Sequence, residues 1–144
     1  MSVNVGDRNE SKIEFDNTYF KIHDDAIGLI GNSLGAKKEL KESHKYYIDI
    51  CSKKVLDIIM DIGTNIRMAN SIFPTTPEEL ETRRLHQDMA IGLCYDLMTK
   101  YQLIMRTLRV EENKYTNEIK NLLHEINCLK KWRTSDNKRK KDLK

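Results

Sequence analysis

Apolar residues in this chain recur every three or four positions, the period that lines one face of a helix. The clearest run is His44, Tyr47, Cys51, Val55, Ile58, Ile62, Ile66, Ala69 and Phe73, widened by Leu40, Ile48, Ile59 and Ile72. It predicts a helix from about Ala36 to Phe73. Gly63 inside it is either a weak point of roughly 1 kcal/mol against alanine or a place of close helix approach. Pro74 stops this helix, and Thr76-Pro77-Glu78-Glu79 starts the next. A hydroxyl at the N-cap, proline at the first helical position and glutamate at the third make a capping box with an acidic first turn. The third helix is expected over Pro77 to Leu108. Its stripe is Ala90, Cys94, Leu97, Tyr101, Ile104 and Leu108, extended backwards by Leu80 and Leu85.

A polar break, VEEN, precedes the stripe Tyr115, Ile119, Leu122, Ile126 and Leu129. It predicts a fourth helix from about Glu111 to Arg133. Glu111 and Glu112 lie at its positive end and Lys130, Lys131 and Arg133 at its negative end, as the macrodipole favours. A weaker first helix is expected from Asn17 to about Leu34, with Phe20, Ala26, Ile27, Ile30 and Leu34 inward and Gly35 at its end. The chain divides into a mobile arm over 1–15, a bundle over 16–133 and a basic, disordered tail over 134–144. Short connections force neighbouring helices to run antiparallel, so the expected fold is all-α, an up-down antiparallel four-helix bundle.

Composition agrees: 33% of the 144 residues are charged, with 6 Gly and 2 Pro, which suits long helices more than a sandwich or barrel. No apolar run approaches a membrane span, and the first fifteen residues lack the apolar core of a secretory signal. Cys51, Cys94 and Cys128 form no CxxC pair and read as small buried hydrophobes in a reducing compartment. A cytoplasmic location is therefore expected.

Catalytic chemistry finds little support. None of His23, His44, His86 and His124 follows a glutamate by three residues, and no HExxH occurs. Asp57 and Asp61 share a face one turn apart, with Asp49 two turns earlier. They read mainly as a solvated or arginine-paired face, and a metal or hydrolytic bundle using them with a nearby histidine is a minor alternative. No serine sits in an elbow motif, and GLIGNSLG lacks the GK[ST] of a phosphate loop. The expectation is a protein that is not an enzyme and holds no cofactor or metal.

Charge is informative by its distribution. The net charge is +3, but Lys130 to Lys144 alone carries +6. An antiparallel bundle brings the end of the fourth helix to the start of the third. Arg83, Arg84, Lys130, Lys131 and Arg133 then share one end, with Lys138, Arg139, Lys140 and Lys141 following on the tail. Such a concentration of positive potential suits phosphate binding, salt-sensitive and weakly sequence-specific. Trp132 among these charges is either a cap on the core or a stacking platform for a single-stranded base.

Two segments carry a family resemblance. RRLHQDMAIGLCYDLMTKYQLIMRTL and EIKNLLHEINCLKKWRTSDNKRKK resemble the accessory variability determinant (Avd) proteins, four-helix bundles encoded beside reverse transcriptases in diversity-generating retroelements. The likeness covers roughly residues 37 to 141. Its most telling pieces are Arg-Arg-Leu-x-Gln-x-x-Ala-Ile, opening the third helix, and Leu-Lys-x-Trp-Arg-x-Ser, closing the fourth. It implies a non-catalytic, barrel-like homopentameric ring that binds a reverse transcriptase and its template RNA in support of mutagenic cDNA synthesis. Arg83, Arg84, Lys130, Lys131, Arg133, Lys138, Arg139 and Lys140 would then face RNA or the enzyme. The alternative is a helical interaction or oligomerisation module without a nucleic-acid role. Ile59, Ile72, Met89, Leu93 and Met105, off the main stripes, are its candidate subunit contacts.

Overall fold

A computed structural model of the chain describes residues 17–30, 42–108 and 112–143. They form α1 (17–30), α2 (Glu42–Ser71), α3 (Pro77–Leu108) and α4 (Glu112–Arg139), with a single 3₁₀ turn at Lys140–Asp142. The expected arm and the Gly31–Gly35 end of the first helix lie outside the described residues.

Side-chain contacts fix the topology. The Tyr19 hydroxyl donates to the Ile59 carbonyl at 2.9 Å, so the start of α1 meets the second half of α2. His86 meets Asn65 at 3.0 Å and Arg83 meets the Ile72 carbonyl, which sets α3 antiparallel to α2. Arg133 pairs with Asp88, and the rings of Tyr101 and Tyr115 stand edge to face with centroids 5.6 Å apart, so α4 runs back along α3. Glu118 and Glu125 of α4 act on Asp25 and Tyr19 of α1 respectively, which closes the square. The result is an up-down antiparallel four-helix bundle.

Ile22, Ala26 and Leu29 from α1, Val55, Ile59 and Ile62 from α2, Ala90, Cys94 and Leu97 from α3, and Leu122, Ile126 and Leu129 from α4 make the core. Burial of each large aliphatic side chain stabilises the fold by roughly 1.5–3 kcal/mol. The main stripes of α3 and α4 match those expected, and Leu80 extends that of α3 backwards, but Leu85, also expected on it, points outward and is exposed. The inner face of α1 differs: Phe20 and Ile27 are 59% and 51% exposed, and Ile22 and Leu29 point inward with Ala26. Ile22, Ala26 and Leu29 are spaced by four and three, the helical period, and Phe20 and Ile27 fall off that stripe. Ile59, expected at a subunit contact, is fully buried, because the Tyr19 bond draws that part of α2 against α1. Phe73 lies past the last turn of α2 and is exposed.

The α2–α3 corner is well specified. The Glu79 amide donates to Thr76 Oγ1 at 3.2 Å, and the Glu79 carboxylate accepts from the Thr75 amide and hydroxyl. The reciprocal half of the capping box thus reaches one residue further back than the standard pattern. These bonds hold the Glu79 carboxyl below its usual range.

The largest departure concerns residues 134–143. They are not a disordered tail: α4 continues without a break through Arg139 and ends in the 3₁₀ turn. Leu129 lies on the inward stripe, and seven residues on, two helical turns, the same face presents Asp136, which is 3% exposed. Its burial anchors the extension.

Gly63 is a place of close approach. A Cβ there would lie 2.2 Å from the Tyr19 hydroxyl oxygen and 2.6 Å from the ring carbon bearing it. Relief would require breaking the Tyr19–Ile59 bond. Gly92, by contrast, faces open space. Gly63→Ala is therefore expected to destabilise the protein by about 1–3 kcal/mol through overpacking. Gly92→Ala should stabilise it by about 0.5–1 kcal/mol through helix propensity. Urea unfolding followed by circular dichroism reads both, and equal effects from the two substitutions would refute this assignment.

Candidate functional site

The end of the bundle where α2 turns into α3 also receives the end of α4. Three elements meet there around Asp136. Its Oδ2 lies 2.8 Å from Arg83 Nε and accepts from Gln87 Nε2 at 2.8 Å. Arg83 is itself 8% exposed. Its Nη1 donates to the Ile72 carbonyl at 3.0 Å, capping an orphan carbonyl past the end of α2. Its guanidinium also lies 4.8 Å from the centre of the Trp132 ring, a cation–π distance. Burial pushes the Arg83 pKa down and Arg139 adds to this, while Asp136 opposes it.

This arrangement redistributes the basic residues expected to bind nucleic acid. The antiparallel register does bring Arg83, Arg84, Lys130, Lys131 and Arg133 to one end. Arg83, however, is committed to the interior and cannot meet a phosphate without leaving Asp136 unpaired, so it is removed from the candidate set. Arg84 reaches Asn137 at 3.4 Å, with Asp88 3.9 Å away, and Arg133 pairs with Asp88. Arg139 lies over the exposed Phe73 ring, 5.8 Å from its centre. Lys130 Nζ lies 3.4 Å from the Tyr95 hydroxyl. Lys131, Lys138, Lys140 and Lys141 are exposed.

Lys131 and Lys138, two helical turns apart, share the outer side of α4, and Lys140 and Lys141 follow in the 3₁₀ turn. A shallow, open depression there is lined by His124, Asn127, Cys128, Lys130, Lys131, Thr134, Ser135 and Lys138. No acidic side chain lines it. Lysines beside hydroxyl and amide groups can bind an anion by charge and hydrogen bonds together. Trp132 stands apart from this face: its ring is half-buried, packs against the core and carries Arg83. That contact makes it a plug between the core and the Arg83–Asp136 lock.

Sequence reasoning missed Gln87 and Asp136. Both carried a signal: each falls on the inward stripe of its helix, Gln87 three residues before Ala90 and Asp136 seven after Leu129, and Asp136 is also the lone acid between Lys130 and Lys141.

The acidic candidates stay apart. Asp57 and Asp61 are exposed, and among the described residues no group of three or more His, Cys, Asp or Glu side chains is arranged to hold a metal ion. Burial pushes the Cys94 thiol up, away from a nucleophilic thiolate, with Glu125 adding to the shift. No described helix is long and apolar enough to cross a membrane.

A second surface lies on the outward face of α3. Leu85 is 57% exposed there, with Met89 and Leu103 also exposed, and Gly92 sits between them on the same face. Leu93 and Met105 are half-buried against the core. No family model, no curated protein and no solved structure matches the chain.

Breaking a buried pair by removing one partner is costly, because the other charge stays desolvated. Asp136→Ala is expected to destabilise the protein by about 3–5 kcal/mol and to release the last turns of α4. A lowered melting temperature with loss of helical signal at 222 nm checks this, and an unchanged melting curve would overturn the lock.

Proposed function

We propose that this chain is a non-catalytic helical interaction module. The observation that carries this reading is the outward face of α3, where Leu85, Met89 and Leu103 stand exposed around Gly92. Among the described residues nothing requires glycine there, since a Cβ at position 92 would meet no atom within 4 Å. An exposed glycine within a helix costs roughly 1 kcal/mol against alanine. A partner helix crossing at that point would use the missing side chain, with the flanking leucines and methionine as anchors. The partner chemistry that fits is an amphipathic helix, from a second copy of the chain or from another protein. A homo-oligomeric ring is one form of that association.

A second reading is favoured by the acid-free basic face of α4. In it the module is an accessory subunit that holds a retroelement template RNA through phosphate contacts and docks the reverse transcriptase, as the likeness to Avd proteins suggests. The contacting residues would be Lys130, Lys131, Lys138, Lys140 and Lys141, with Arg84 and Arg133 at the edge.

Two experiments separate the readings. Leu85→Glu with Met89→Glu is expected to weaken association by about 10- to 100-fold, read by light scattering for self-association or by site-specific photocrosslinking from position 89 in cells. Helicity should be unchanged. A protein that stays monomeric and captures nothing from position 89 refutes the apolar interface. For the second reading, fluorescence anisotropy with a single-stranded RNA should show affinity falling steeply with salt, with a logarithmic slope of roughly −0.7 per phosphate contacted. Replacing the five lysines with glutamine should abolish that binding, and salt-independent binding or an unaffected variant excludes the phosphate model.

A further inference from the structure

Cys128 lies on the boundary between the core and the basic depression of α4. It is 8% exposed and packs with the core cluster, and it also lines the depression. His124, Cys128, Lys131, Ser135 and Lys138 follow one another by four, three, four and three residues, the spacing of a single helix face. Cys128 Sγ lies 3.7 Å from His124 Nε2, a hydrogen-bonding distance for sulfur. With the ring proton on Nδ1, Nε2 accepts from the thiol.

The other two cysteines lack this setting. Cys94 is fully buried. Cys51 is half-buried, and the crevice it lines is mostly apolar, with no charged side chain and a volume of about 10 Å³. That is room for about one water. The depression at Cys128 has a volume of about 550 Å³, within the range of small-molecule sites, and no carboxylate lines it. A thiol, an imidazole and the ammonium groups of Lys130, Lys131 and Lys138 thus open onto one space.

That combination has a definite chemistry. An imidazole beside a thiol can take its proton, and neighbouring ammonium groups favour the resulting thiolate. A thiolate attacks one sulfur of a disulfide and displaces the other. Cations around the thiolate also choose among disulfides, because they raise the local concentration of anionic ones.

We propose that Cys128 is a thiol-exchange site for small disulfides that carry carboxylates. His124 Nε2 takes the thiol proton, and Sγ attacks the nearer sulfur of the disulfide. A new S–S bond forms to Cys128 and the old one breaks, its electron pair leaving with the departing half as a thiolate. Cys128 is oxidised and the departing half is reduced, so no other oxidant is needed. The half that stays keeps its carboxylate, which Lys131 and Lys138 then face. The lysines therefore act twice, drawing the reagent in and holding the product. The step asks only for a small anion at these lysines, so it does not rest on their binding RNA.

The test reacts the full, reduced chain with dithiobis-nitrobenzoate, which carries two carboxylates, and with dithiodipyridine, which carries none. Release of the coloured thiol gives each rate, and peptide mass spectrometry assigns it to a cysteine. The preference of Cys128 for the charged reagent should exceed that of the neutral thiol β-mercaptoethanol by roughly tenfold or more at low salt. It should fall towards the reference by about 0.5 M salt. This comparison uses the unaltered protein, so no variant's folding enters it. A preference equal to the reference at low salt overturns the selection, and a Cys128 that reacts more slowly than Cys51, or only after unfolding, overturns the site. Lys131→Gln with Lys138→Gln should slow the charged reagent by roughly tenfold and leave the neutral one unchanged. His124→Gln should slow both reagents by a similar factor, and unchanged rates overturn its part as the base.

Discussion

Asp136 enters the bundle as a carboxylate in a place that water does not reach, and the architecture of that end is organised around satisfying it. Arg83 supplies the charge and Gln87 a second donor, both from the first turns of α3. Arg83 also caps the carbonyl past the end of α2 and rests on Trp132 of α4. One guanidinium therefore ties the α2–α3 corner to the close of α4. A buried ion pair is weak evidence for net stability, because desolvation offsets attraction. Its strength here is positional: a shifted register would strand a charge, so α3 and α4 have one acceptable alignment.

The two segments that open α3 and form α4 acquire a physical meaning in this light. Arg83 and Gln87 belong to the first, and Trp132 and Arg133 belong to the second. They meet at the lock, or pair beside it through Asp88. The patterns of these two segments are therefore mostly packing and charge pairing within the chain. That leaves function to the surfaces. The apolar outer face of α3 and the acid-free outer face of α4 lie on separate helices, so one rigid body can offer both at once.

Much of the fold was legible in the chain. The α3 boundaries, its capping and the stripes of α3 and α4 followed from periodicity and local hydrogen-bonding chemistry, which act over a few residues. The face of α1 was not legible, because its apolar residues fit two stripes: Phe20 and Ile27 are large, yet Ile22, Ala26 and Leu29 are the ones buried. The end of α4 was misjudged for a related reason. Residues 134–143 are polar in composition, and contacts distant in sequence, of Asp136 with Arg83 and Gln87, of Asn137 with Arg84 and of Arg139 with Phe73, hold them in place. Of the basic residues expected at a site, the sequence could not distinguish Arg83, turned inward, from Lys131 or Lys138, turned out. That distinction depends on tertiary partners.

The central claim is that the basic C-terminal segment is a docked part of α4 and holds its lysines on a fixed face. Backbone NMR of residues 134–139 tests it most directly, through carbon chemical shifts and heteronuclear relaxation. Helical shifts and order parameters close to those of the preceding turns, about 0.85, are the predicted result. Random-coil shifts with order parameters below about 0.6 would contradict it.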